Sequence, residues 1–408
     1  MTSNSDTSRP SRSNSTFRPE EELLLCCSRV HLDPDTRQRL DELLAGPLDW
    51  PYLLKIARGH WVTSLVYWHL RSVDASLVPE AILQELSDQF HFNARRSLQL
   101  VGALRYVLQV LEQEGIAALS FKGPLLAANL YGNLALRECC DIDILVTKQQ
   151  VMRAKTVLLS NGYQLRNTLT AAQEAARLDS RCEVVLQDQK GHVAIDLHWD
   201  VVPSFFCPGL AAENLLARRV TEHLGHLTIP SLAPEDVFLV LCVHGGKHAW
   251  SQLKWICDVA VMLQSGSDLR WPFILERAVH LGIERLVLIA VHIANDLLQA
   301  PIPKEVADRL GADKKAQRLA GDLAEKFFTH RTLAGTFTEQ TVFCVKARER
   351  WSDKFRHALW IALVPTEEDM GVFHLPGALR PAGLVLRPLR LIGRYGVPWL
   401  TRRLAIKQ

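Results

Sequence analysis

Residues 141–146 read Asp141-Ile142-Asp143-Ile144-Leu145-Val146, and the way this hexapeptide folds decides what must surround it. As a β-strand, its two-residue period sends Asp141, Asp143 and Leu145 to one face and Ile142, Ile144 and Val146 to the other. The second face asks to be covered. The first sets two carboxylates side by side, where they repel and raise one another's pKa unless a cation neutralises them. A hard divalent ion, Mg²⁺ or Mn²⁺, shared between carboxylates and the phosphate oxygens of a nucleoside triphosphate (NTP), meets that need.

A second run has the same alternation. In His192 to Asp200, Val193, Ile195, Leu197 and Trp199 form an apolar face, and His192, Ala194, Asp196, His198 and Asp200 a polar one. Asp196 is thus a third carboxylate on a strand. With the two strands as neighbours, Asp141, Asp143 and Asp196 can hold two metal ions, one activating an attacking oxygen and one clamping a triphosphate for in-line displacement. Upstream, Ser120-Phe121-Lys122-Gly123-Pro124 leads from a short strand into a helix that ends near Gly132. Gly123 lets a phosphate approach the backbone, the helix N-terminus suits an anion, and Lys122 adds a point charge. Arg137, in the loop just before the first aspartate, is expected to contact the nucleotide.

Around this centre the pattern predicts an α+β chain that is mostly helical, with a small mixed sheet flanked by helical regions. Strands are expected at Ala117–Phe121, Asp141–Val146, Glu183–Gln187 and His192–Trp199, with a helix over 149–160. Residues 19–115 read helical, closing with the repeat Val101, Leu104, Leu108, Leu111 before Glu114-Gly115. Helical periodicity resumes at Pro234-Glu235-Asp236 and carries on to Leu263, with further runs at about 273–281, 283–299 and 313–328. The expected division is a disordered leader at 1–18, a helical region at 19–115, the catalytic core at 116–232, a helical domain at 233–374 and a basic tail at 375–408.

Composition narrows the class. With 48% hydrophobic and 22% charged residues over 408 positions, the chain reads as an ordinary globular protein. The net charge of +3 is unevenly placed: the leader carries +2 and the stretch after Asp369 carries +7 with no acid, which leaves the body at −6. That balance argues against a nucleic-acid partner, and no RRM or KH pattern is present. Nine cysteines without framework spacing or a CxxC point to reduced thiols and a cytoplasmic protein. The leader lacks the apolar segment of a secretory signal, and no apolar run is long enough to span a bilayer.

Taken together, Leu119-Ser120-Phe121-Lys122-Gly123, Leu130-Tyr131-Gly132, Leu136-Arg137, Asp141 to Val146 and Ile195-Asp196-Leu197-His198-Trp199 resemble the nucleotidyltransferase superfamily with the DNA polymerase β-like catalytic fold. Within it they are similar to the uncharacterised nucleotidyltransferase-like proteins of bacteria. The block Pro234-Glu235-Asp236, His244, Lys247-His248, Trp250, Leu253-Lys254-Trp255 and Asp258 extends the likeness, which covers about residues 20 to 395. It implies that Asp141 and Asp143 are paired metal ligands, that Asp196 is the third, and that Lys122 and Gly123 form the phosphate-contacting turn. Pro124 stands where that turn usually carries Ser, and the link to Asp141 is longer than usual.

His244, Lys247 and His248 share a helix face and are expected to line the cleft opposite the carboxylates, where cations meet the triphosphate. Asp258, set among apolar residues, needs a partner, and Lys254 one turn earlier is the nearest in sequence. Trp250 and Trp255 read as core. The expected activity is transfer of a nucleoside monophosphate from an NTP to an unidentified acceptor, a small molecule, peptide or protein, with release of pyrophosphate. Two rivals use the same residues: a DxD glycosyltransferase, which needs a doubly wound domain upstream, and a nucleotide- or partner-binding protein that has lost catalysis. The basic tail either packs on the acidic body or lies on an anionic membrane surface.

Overall fold

The structure, a computed structural model, describes residues 17–74, 76–265, 269–328, 337–373, 382–391 and 393. Most of the leader and most of the basic tail lie outside these residues. Seven strands form one mixed sheet: β1 (Leu119–Ser120), β2 (Asp141–Leu145), β3 (Tyr163–Leu165), β4 (Glu183–Asp188), β5 (Ala194–His198), β6 (Val220–Leu224) and β7 (Leu227–Ser231). Their spatial order is β3-β4-β5-β2-β1-β7-β6. β2 runs parallel to β5 and β1 parallel to β7, while the other neighbours are antiparallel. The chain is α+β and mostly helical, as its periodicities predict.

The four expected strands are present. β3, β6 and β7 are additional, and each is short or half-exposed, so its hydrophobic alternation is faint. The β6–β7 hairpin turns through Gly225, whose φ of +60° suits a two-residue loop. Ile142, Ile144, Val146, Ile195, Leu197 and Trp199 are buried on one side of the sheet against the helices Glu80–Gln113 and Val151–Ser160. The first of these helices, 34 residues or about 50 Å long, buries Leu100, Leu104, Val107 and Leu111 there. Its earlier residues Leu86 and Phe90 belong instead to a second core. That second core joins the N-terminal helices to the helices Pro234–Lys247, Leu253–Gln264 and Glu284–Leu298.

The periodicity from Pro234 to Leu263 predicts one continuous helical stretch, but the chain breaks between Lys247 and Leu253. Ala249 and Trp250 adopt φ of 49° and 53°, and Trp250 folds back, 1% exposed, against Gly245. A Cβ on Gly245 would stand 2.3 Å from the Trp250 ring. Burial of that indole therefore depends on the absent side chain, and it interrupts a pattern that reads as uninterrupted. All nine cysteines are free thiols. No helix among the described residues is long and apolar enough to cross a membrane.

His60 ties the N-terminal helices to this second core. Its Nδ1 accepts from Leu253 N at 3.3 Å, its ring stacks on Phe327 at 4.9 Å, and burial pushes its pKa down to about 4. Above the ordinary imidazole pKa of roughly 6.5 the group is neutral in both folded and unfolded chains. Between about 6.5 and 4 only the unfolded chain takes up the proton, so this one residue removes about 1.4 kcal/mol of stability per pH unit. Urea midpoints at pH 7, 6 and 5 should fall steadily for the wild type, and more shallowly for His60→Gln, which keeps an acceptor for Leu253.

Candidate active site

The register of the sheet assembles the site. β2 and β5 pair with Asp143 beside Asp196, Asp141 beside Ala194 and Leu145 beside His198, and β4 pairs with β5 so that Glu183 stands beside His198. Residues opposed across a pair share a face, so Asp141, Asp143, Asp196, His198 and Glu183 crowd one side. Asp143 is 5% exposed. Its Oδ1 accepts from Lys122 Nζ at 3.0 Å and from His198 Nε2 at 3.1 Å. On the other side of the imidazole, Nδ1 lies 3.4 Å from Glu183 Oε2. Phe121 packs edge-on against the same ring at 5.1 Å.

Each carboxylate records this crowding differently. Burial, then the charges of Asp141 and Asp143, push Asp196 up to about 7. At Asp143 burial acts the same way but is outweighed by Lys122 and His198, which hold the carboxyl well below the usual range. Burial lowers His198, yet the hydrogen bond to Asp143 and the charge of Glu183 leave it raised, at about 10. Lys122 is likewise raised, because Asp143, Asp141 and Glu183 outweigh its burial. Negative charge exceeds the local cations here, and the excess falls on Asp196. The donors are carboxylate oxygens that a hard divalent cation would neutralise, so the set fits Mg²⁺ or Mn²⁺. Among the described residues, one donor atom each of Asp143, Asp196 and His198 lies within 4.8 Å of the others. Asp141 stands outside that group, at the more exposed end of β2, where its Oδ2 accepts from Cys140 Sγ at 3.2 Å.

The sequence profile of a family described as uncharacterised nucleotidyltransferase matches residues 46–299, more than half of the chain. The chain belongs to that family. No curated protein matches it. The family match contains the whole sheet, the carboxylates and the histidine helix, and stops before the last helices.

The turn at Lys122 shows why this family member has glycine next. Gly123 opens the helix Gly123–Tyr131 with φ of +61°, and a Cβ there would lie 3.1 Å from Asp141 O. Glycine thus lets the helix start press against β2 immediately beside the first aspartate. Pro124 follows as the second helical residue, which removes one of the free N–H groups that a helix N-terminus offers.

Arg137, expected to contact nucleotide, lines the cleft, but its guanidinium is already committed. Nε and Nη2 donate to Asp258 Oδ1 and Oδ2 at 2.8 and 2.9 Å, and Nη1 to Gly123 O at 3.4 Å. Tyr131 donates to the same Asp258 at 2.8 Å. Asp258 therefore finds its partners 121 and 127 residues away, not in Lys254, whose Nζ sits over the Trp61 ring. The loop 132–140 is pinned at further points: Asn93 Nδ2 donates to Ala135 O at 2.8 Å, Arg96 Nη2 to Cys140 O at 2.8 Å, and Ser64 N to Glu138 Oε1 at 3.0 Å. The position of Asp141 is set by contacts from three helices.

His244, Lys247 and His248 do line the cleft with Lys122 and the carboxylates. The two imidazoles lie 5.0 Å apart and pack around Trp255, His248 stacking on it at 5.0 Å. Burial and neighbouring lysines push His244 well below its usual pKa and His248 down to about 3. They are neutral rings rather than the expected cations. Trp250 is core as expected, whereas Trp255 is only half-buried and forms part of the wall.

Sequence reasoning passed over His198 and Glu183 as site residues. For His198 the signal was present, since it shares the polar face of β5 with Asp196. Glu183 had none beyond opening a strand. The cleft, about 690 Å³, also has a far wall from helices beyond the family match: His357, Trp360, Thr366, Glu368, Arg387 and Arg390. Of the basic tail, Arg387 and Arg390 are described, and both pair with Asp369, which makes that part of the tail a lining of the body.

Removing one partner of a buried ion pair leaves an uncompensated charge. Arg137→Met and Asp258→Leu should each cost about 3–5 kcal/mol in urea unfolding, and the double variant clearly less than their sum. Gly123→Ala should cost about 1–3 kcal/mol from its positive φ alone, read as a lowered melting temperature.

Proposed function

We propose that this chain catalyses metal-dependent nucleotidyl transfer: the α-phosphorus of an NTP gains a bond to an acceptor oxygen, its bond to the pyrophosphate oxygen breaks, and the acceptor's proton is released. The observation that carries this reading is the pairing of Asp143 with Asp196 on adjacent parallel strands, with Asp141 two residues before. Asp141, Asp143 and Asp196 would hold Mg²⁺ or Mn²⁺, which supplies charge neutralisation at the triphosphate and activation of the acceptor oxygen. Lys122, now on Asp143, lies at the head of the helix Gly123–Tyr131 and serves the phosphates as a point charge there. Lys247 adds a second cation to the cleft. The half-buried pair His248 and Trp255 offers an uncharged aromatic wall of the kind on which a base stacks.

The acceptor meets the opposite wall. That wall comes from residues 340–391, outside the family match, so the choice of acceptor is written in a part of the chain that the family pattern does not specify. Its aromatic face is built on Trp360, stacked on Phe205 at 3.7 Å. A small molecule or a peptide side chain fits this surface better than nucleic acid, given the acidic balance of the body. The glycosyltransferase reading needs a doubly wound domain before the first aspartate, and the described residues before β1 are helical.

Thermal unfolding with each NTP, with and without Mg²⁺ or Mn²⁺, tests the reading without knowledge of the acceptor. A nucleotide at a hundred times its Kd stabilises the fold by about 2.7 kcal/mol, a shift of a few degrees. The shift should require metal in the wild type and vanish in Asp141→Asn/Asp143→Asn, measured against that variant's own unliganded melting temperature. No shift with any triphosphate sinks the proposal in favour of a binding protein that has lost catalysis. A shift confined to nucleotide sugars favours glycosyl transfer.

A further inference from the structure

His198 is buried at the centre of the carboxylate cluster, and the superfamily likeness assigns it nothing. Nε2 points at Asp143 Oδ1, 3.1 Å away, and a ring nitrogen lies within 4.8 Å of donor oxygens on both Asp143 and Asp196. Its Nδ1 is buried facing Glu183 Oε2 at 3.4 Å, with the thiol of Cys182 beside it. A carboxylate on the far nitrogen of an imidazole orients the ring and raises the basicity of the near nitrogen, which is how metal-ligating histidines are supported.

We infer that His198 releases a ring proton to solvent and becomes a nitrogen ligand of the divalent ion held by Asp143 and Asp196, so that this site selects Mn²⁺ and later first-row ions over Mg²⁺. The inference rests on the nucleotidyl-transfer reading of the same carboxylates. Its physical ground is the donor set. Mg²⁺ favours oxygen donors in a near-ideal octahedron, whereas imidazole adds affinity for Mn²⁺, Co²⁺ and Zn²⁺. The set made by Asp143, Asp196 and His198 is of the mixed kind, with Glu183 behind the imidazole. Asp141, two residues earlier on the strand, lies outside this group and remains an oxygen donor for the triphosphate end of the site.

The probe is Mn²⁺ alone, added at one equivalent to the full chain and read by pulsed electron paramagnetic resonance. Wild type should show coupling to a ¹⁴N nucleus, changing to the ¹⁵N pattern when the protein is made with ¹⁵N-histidine. The coupling should disappear in His198→Gln and persist in His244→Gln and His248→Gln, whose imidazoles also line the cleft. Mn²⁺ affinity should fall about tenfold or more in His198→Gln, with Mg²⁺ affinity close to that of wild type. Should His198→Gln fail to fold, coupling retained through both control variants assigns it to the remaining imidazole of the carboxylate group. Mn²⁺ bound without nitrogen coupling overturns this inference and leaves an all-oxygen site, and coupling that survives His198→Gln overturns it by assigning the nitrogen to another imidazole. Failure of wild type to bind Mn²⁺ at all overturns the underlying metal reading as well.

Discussion

Three aspartates crowded onto one sheet face are the constraint around which the rest of this protein is arranged. The parallel pairing of β2 with β5 sets Asp143 against Asp196, and the strand period adds Asp141 beside them. Such a cluster is costly unless cations meet it. The protein's own cations, Lys122 and a raised His198, converge on the single oxygen Oδ1 of Asp143 and leave Asp196 to absorb the repulsion. A salt-bridge network would instead spread its cations over all three acids. The neighbouring imidazoles of His244 and His248 are kept uncharged by burial and by the lysines around them, so they do not compete for the same oxygens.

Holding such a cluster in place requires more than the strands. Loop 132–140 delivers the chain to Asp141, and it is gripped through Arg137 and Asp258, through Asn93 and Arg96 of the long helix, and through Ser64. Each grip comes from a different helix, and Asp258 belongs to the second core, on the opposite side of the sequence from Arg137. The helices after Pro234 therefore do two things at once: they pack against the N-terminal helices and they fix the entry to β2. Gly123, pressed against β2 where a Cβ would lie 3.1 Å from Asp141 O, couples the turn at Lys122 to the same strand.

β2 and β5 were legible because alternation is local. Asp141 to Val146 and Val193 to Trp199 each carry four or more alternating positions, and Ile142, Ile144, Val146, Ile195, Leu197 and Trp199 are buried where that period places them. β3, β6 and β7 escaped notice because a strand of three residues, or one whose covered face is only partly buried and interrupted by polar residues, leaves a faint trace. The break after Lys247 was equally invisible, since it depends on Trp250 meeting Gly245 in three dimensions. Lys254 looked like the partner of Asp258 from its place one turn away, but a buried charge is satisfied by whichever opposite charge the fold brings near, here that of Arg137.

The sequence by itself determined that Asp141, Asp143 and Asp196 stand on polar faces of strands backed by hydrophobic core, and that a glycine turn precedes them, because side-chain direction along a strand depends only on the residue's parity. Only the tertiary structure decided that the two strands are parallel neighbours in the register that opposes Asp143 and Asp196. It alone placed His198 between Asp143 and Glu183, bound Arg137 to Asp258, and closed the cleft with residues beyond 340. Those outcomes depend on pairing between segments far apart in the chain, where burial demands that each charge find a partner and no local pattern says which one.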